Sequence, residues 1–223
     1  MKVAAVTALV ALALPAGALA ATDQISTSGG NAYPGGGGPA GEYRLDAGTR
    51  AQLVNADPAA EHNVVATADG PDGRELFQSD LIGLGTTAVA GTEYLTAGPY
   101  PFVCTIHDGM AGTLLVEGDG ALPRPSVTVA VASSKLEKVR EGKLKVTVTA
   151  ATASSDVSLI ARVGTRTLPQ VDGIDVGVGR TRKLTIRLDR SATKPLKDAK
   201  RAKVTLSASV PFGSPAKAKR TLR

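Results

Sequence analysis

Tryptophan is absent from this 223-residue chain, and four tyrosines and three phenylalanines bring the aromatic content to only 3%. Any core must therefore be assembled mainly from Val, Leu, Ile and Ala. Cysteine occurs once, which excludes a disulfide within the chain, and histidine occurs only twice. Cations are scarce in the first half. Between residues 22 and 123 they are Arg44, Arg50 and Arg74, set against thirteen Asp and Glu, a net charge of −10. Residues 124 to 223 reverse this with 22 Lys and Arg against seven Asp and Glu, a net +15. The overall charge of +6 hides an acidic half joined to a basic one. The basic half has Phe212 as its sole aromatic, so it lacks the stacking platforms of a nucleic-acid binder.

Long apolar runs are confined to the N-terminus. Met1 and Lys2 precede VAAVTALVALALPAGALA, and Ala18-Leu19-Ala20 supplies a small-x-small cleavage pattern. Residues 1–20 are expected to be a signal peptide, because Pro15 and Gly17 interrupt a stretch already short for a spanning helix. The mature chain is then exported, to a periplasm, a cell wall or the medium, with no transmembrane span. Outside the cytoplasm a lone thiol tends to oxidise, so Cys104 needs a reason to be present.

Residues 21–41 carry seven glycines and two prolines between Gly29 and Gly41, and predict a flexible tether. From Tyr43 onward, short alternating strands separated by turn residues predict an all-β chain. EYRLDAGTRAQLVNADPA reads as two strands turning at Asp46-Ala47-Gly48, and HNVVATA as another. TTAVAGTEYLTAGPYPFVCTIH reads as a hairpin bending at Gly98-Pro99, with AGTLLVEG as the closing strand. That density fits one β-sandwich over residues 42–119. ALPRPS punctuates a linker at 120–126, and SVTVAVAS, KLKVTVTA, RKLTIRLD and AKVTLSASV predict a second, Ig-like sandwich over 127–223. SATKPLKDAKRA interrupts that alternation as a helical turn.

The mature chain's soft and imidazole side chains are His62, Cys104, His107 and Met110, and three of them fall within seven residues. Two imidazoles, a thiolate and a weak axial thioether are the ligand set of a blue-copper electron-transfer site. C-x-x-H-x-x-M suits a tight loop between strands, with Gly109 and Gly112 relieving the backbone, while His62 must arrive from a distant strand.

The segments EHNVVA and YPFVCTIHDGMAGTLLV resemble the plastocyanin/amicyanin-type cupredoxins over about residues 42 to 118. The resemblance implies a Greek-key β-sandwich with copper held by His62, Cys104, His107 and Met110. The short interval from His107 to Met110 is similar to amicyanin. The resemblance also implies that Asn63 pins the ligand loop by a hydrogen bond near Thr105. It implies further that His107 is the electron port, in a patch lined by Ile106, Met110 and Ala111. The chain departs from its relatives at Ile106, where they usually carry proline. An N–H there, directed at the Cys104 sulfur, is expected to raise the reduction potential.

Other chemistries fit poorly. A Cys–His hydrolase needs an oriented base and an oxyanion site, and a multicopper oxidase needs many more histidines. The expected function is thus single-electron transfer through one copper ion, not enzymatic catalysis. The redox partner is expected to present a basic face, and the basic half to be a solvated domain or to bind an anionic cell-wall polymer. Copper storage, delivery or sensing, and a wall-associated structural role, are the alternatives.

Overall fold

Alternation of buried and exposed side chains organises the chain wherever strands form. A computed structural model describes residues 23–35, 41–152 and 154–223. The signal peptide expected at 1–20 lies outside them. The molecule is all-β, with several sheets and two separate hydrophobic cores.

Among the described residues, seven strands build the first half: β1 (Gln24–Thr27), β2 (Glu42–Asp46), β3 (Gln52–Asn55), β4 (Val65–Ala66), β5 (Gly85–Ala88), β6 (Gly98–Val103) and β7 (Ala111–Glu117). They form a three-stranded sheet ordered β1-β3-β5 and a four-stranded sheet ordered β2-β7-β6-β4. In β2, Tyr43 and Leu45 point inward while their neighbours face out, the two-residue period of a half-buried strand. Ile25, Leu53, Phe102 and Leu114 from both sheets meet in one core, which continues into Cys104 and Met110. Phe102 is its aromatic centre. Tyr33 meets it edge-on at 4.9 Å between centroids, and Tyr43 lies 6.2 Å away.

Two expectations for this half are corrected. Of the stretch 21–41, residues 21–22 and 36–40 lie outside the described residues, and 23–35 are not simply a tether, because β1 pairs in parallel with β3 from Gln24↔Gln52 to Thr27↔Asn55. Ile25, Thr27 and Tyr33 are buried, and the Tyr43 hydroxyl donates to the Ser26 carbonyl at 2.7 Å. A short segment with few apolar residues stays ordered by adding to a sheet edge that the rest of the half supplies. The hairpin expected across 86–107 does not form either. β5 pairs with β3, β6 pairs with β7, and a 3₁₀ turn at Thr92–Tyr94 carries the chain between the sheets. Buried Glu93 anchors that turn through Arg50, whose Nε donates to its carboxylate at 2.9 Å. Gly98-Pro99 consequently opens β6 and is not a bend. Pro99 pairs only toward β7, the side-limited position proline tolerates in a sheet.

Residues 120–126 carry no strand or helix. The second half contains β8 (Val127–Val131), α1 (Leu136–Arg140), β9 (Lys143–Ala150), β10 (Ser154–Val163), β11 (Arg166–Thr167) and β12 (Val171–Val176). It continues with β13 (Thr181–Arg187), α2 (Arg190–Thr193), β14 (Ala202–Ser209) and β15 (Ala216–Leu222). One sheet is ordered β13-β9-β8; the other runs β11-β10-β14-β15, with β12 also on β10. The core between them is purely aliphatic, led by Leu144, Val146, Leu159, Val204 and Leu206, as the scarcity of aromatics requires. The single aromatic, Phe212, points elsewhere. Its amide donates to Asp72 Oδ2 at 3.0 Å, its carbonyl accepts from Arg124 at 3.2 Å, and its ring lies 6.2 Å from Tyr94 of the acidic half.

Candidate metal centre

Antiparallel pairing of β6 with β7 ends at Val103↔Ala111, so residues 104–110 form the loop that caps the pair. The loop is closed from within. The Cys104 amide donates to the Met110 carbonyl at 3.0 Å, and the Met110 amide donates to the His107 carbonyl at 3.2 Å. Gly109 supplies the left-handed backbone (φ +76°) that lets so short a loop return. Gly112 follows on β7, where any Cβ would come within 2.5 Å of the Phe102 ring. His62 enters from the opposite side. Its backbone bridges Ile82 in both directions, at 2.9 and 3.0 Å, and its side chain is 0% exposed.

These elements bring His62, Cys104 and His107 together, with one donor atom of each lying within 4.8 Å of the others. The Cys104 sulfur is 3.4 Å from His107 Nδ1 and 3.9 Å from His62 Nδ1. The two imidazole rings are 4.6 Å apart between centroids. A metal bound by nitrogens near 2.0 Å and a thiolate near 2.3 Å separates N from S by roughly 3.5–3.7 Å. Both sulfur–nitrogen spacings lie within a few tenths of an ångström of that, so the group could hold a metal ion. Cys104 is free and buried, while His107 is half-buried.

Met110 is buried at the closing position of the loop, in the same core cluster as Cys104. Burial removes it from any exposed patch. Ile106, 51% exposed, and Ala111 remain at the surface beside His107. Among the described residues no hydrogen bond joins the Ile106 amide to the Cys104 sulfur. The sulfur's hydrogen-bonding neighbours among the described residues are nitrogens of the two imidazoles.

Asn63 behaves as the resemblance implies. Its Nδ2 donates to Thr105 Oγ1 and its Oδ1 accepts from the Thr105 amide, both at 2.9 Å. Behind it, the Tyr33 hydroxyl donates to the Asn63 carbonyl in a short hydrogen bond. Burial pushes the Tyr33 phenol well above its ordinary value, and the nearby Cys104 and Tyr43 add to the effect.

The sequence gives no hint of two of these supports. Tyr33 sits in a Gly-rich stretch, and its signal is only that an aromatic residue is rare in this chain. Asp57 sits in Asn-Ala-Asp-Pro, which reads as a turn. Yet its carboxylate is buried, with Oδ2 3.4 Å from His62 Nε2 and Oδ1 accepting from the Ala59 amide at 2.8 Å. The Ala59 amide holds this carboxyl below the usual carboxylate range against the opposing effect of burial, and His62 reinforces it.

No known protein-family model matches the chain, and a search of curated proteins finds no match.

Proposed function

We propose that this chain is an exported blue copper protein, similar to the plastocyanin/amicyanin-type cupredoxins, that carries single electrons. The supporting observation is the convergence of Cys104 Sγ with Nδ1 of His62 and His107, two of the three residues buried, at the loop between β6 and β7. Met110, buried at the end of the same loop, would complete the set as a weak thioether donor. In this reading the first half is a Greek-key sandwich and the second an Ig-like module.

Copper held there supplies a one-electron Cu(I)/Cu(II) couple. The residues of the chain do the rest. The Cys104 thiolate gives a soft, covalent donor, and the two imidazoles accept either oxidation state. The doubly hydrogen-bonded loop and the Asn63–Thr105 brace keep the donors fixed, which lowers the reorganisation that electron transfer requires. His107, the ligand with an accessible edge, gives the electron its way out, beside exposed Ile106. The acidic half favours a partner with a basic face, and the association rate falls as salt rises.

A buried, pre-arranged donor set with a single methionine favours a carrier over a copper store. The test is to load residues 22–223 with Cu(II) and record the visible spectrum. An intense thiolate-to-copper charge-transfer band that disappears in Cys104→Ser supports the reading. Copper binding without that band, or a band that survives Cys104→Ser, rejects it.

A further inference from the structure

Asp57, five residues before His62, is a negatively charged group enclosed with the donor cluster. It is only 4% exposed and lies against a ring that is 0% exposed. His62 has two nitrogens with separate surroundings. Nδ1 faces the Cys104 sulfur at 3.9 Å, and Nε2 faces Asp57 Oδ2 at 3.4 Å. The carboxylate is itself fixed by a buried polar chain. The Asp57 amide donates to Asn55 Oδ1 at 2.9 Å, and the same oxygen accepts from the Thr27 hydroxyl at 2.7 Å. Asn55 Nδ2 donates to the carbonyls of Ala60 and Ile82, both at 2.9 Å. A polar side chain held this way at nearly zero exposure has a partner at every arm, and Oδ2 is directed at the imidazole.

We propose that Asp57 is a positioning residue for the metal centre: it accepts the Nε2 proton of His62, leaves the Nδ1 lone pair facing Cys104, and favours the more highly charged state of a bound ion. A ring nitrogen is free to ligate only when the proton sits on the other nitrogen, and the hydrogen bond at that other nitrogen decides which. An anionic acceptor also makes the imidazole a stronger donor. A buried negative charge near the cluster stabilises a divalent ion more than a monovalent one. The first consequence holds whatever metal binds; the second, for copper, rests on the function proposed above.

Asparagine at position 57 keeps the size of the side chain but has one acceptor oxygen, so it cannot serve both the Ala59 amide and the His62 ring. Asp57→Asn is expected to lower the ratio of Cu(II) to Cu(I) affinity at least tenfold. For a one-electron couple that is an upward shift of the reduction potential of 59 mV per tenfold. Asp57→Glu is expected to recover part of the shift.

The tautomer is read without any metal, from long-range ¹H–¹⁵N correlations of the His62 ring in the ¹⁵N-labelled wild-type protein. A neutral ring protonated on Nε2 is the expected result; a proton on Nδ1 overturns the proposal even if no variant folds. With wild type binding copper through the thiolate, an Asp57→Asn protein of unchanged affinity ratio overturns the charge effect. Should wild type lack the charge-transfer band, the copper reading fails by itself, and the tautomer still decides the role of Asp57.

Discussion

Asn63 and Thr105, 42 positions apart, hold one another by two 2.9 Å hydrogen bonds, side chain to hydroxyl and amide to side chain. The residues beside them, His62 and Cys104, are donors of the candidate centre. The bond pair therefore acts as a clasp between the two segments that deliver the ligands. Asn63→Ala removes both bonds at a mostly buried position and is expected to cost about 1–2 kcal/mol of stability in the metal-free protein. Metal affinity is expected to fall by roughly 10–100-fold. Urea denaturation and a competitive metal titration check the two figures.

Tyr33 carries a pH signature. Its folded-state phenol resists ionisation, whereas in the unfolded chain it titrates near the ordinary value of about 10. The folded state thus holds the proton more tightly. The resulting stability is fully present below about pH 10 and is lost as pH rises through the higher folded value. Tyr33→Phe keeps the edge-on contact with Phe102 but leaves the Asn63 carbonyl without its donor. Stability near neutrality should drop by about 1 kcal/mol, and the alkaline fall in stability should become shallower. Denaturant midpoints from pH 7 to 11 measure both.

Gly112 admits no side chain. An added Cβ would lie 2.5 Å from the Phe102 ring and 2.8 Å from the Gly41 carbonyl. Gly112→Ala is expected to cost about 1–3 kcal/mol through overpacking at the foot of the ligand loop. A lowered thermal midpoint together with a broadened metal-bound spectrum would show that the loop shifts with β7.

Phe212 is one contact between the basic half and the acidic one. Its left-handed backbone (φ 60°) presents the amide to Asp72 and the ring to Tyr94. Phe212→Ala should leave both cores intact while separating their thermal transitions in calorimetry. It should also speed proteolysis within residues 120–126. An unchanged, merged transition would place the coupling elsewhere.

Strands such as β9 and β14 were legible because strict alternation survives burial: KLKVTVTA and AKVTLSAS each turn their apolar residues inward. The cluster of His62, Cys104 and His107 was legible because so few side chains of the right chemistry exist in the chain. What escaped was decided at a distance. β5 and β6 look like one hairpin until Arg50, far away in sequence, draws Glu93 into the interior and redirects the chain. β1 is an edge addition whose order depends on a partner strand that local composition does not reveal. Asp57 resembles a turn residue, and only the packed fold places a buried imidazole beside it.

The N-terminal segment supplies the outermost member of both chains of support. Thr27 leads through Asn55 and Asp57 to His62, and Tyr33 leads through Asn63 to Thr105. Docking of residues 23–35 and any metal binding at the cluster would therefore be linked equilibria, and linkage is reciprocal. Deleting the segment should weaken metal binding, and by the same factor a bound metal should hold the segment down. The free energy of capture is thereby spread to a part of the chain that supplies no ligand, where protection of the Ile25 and Thr27 amides from hydrogen exchange would record whether the centre is filled.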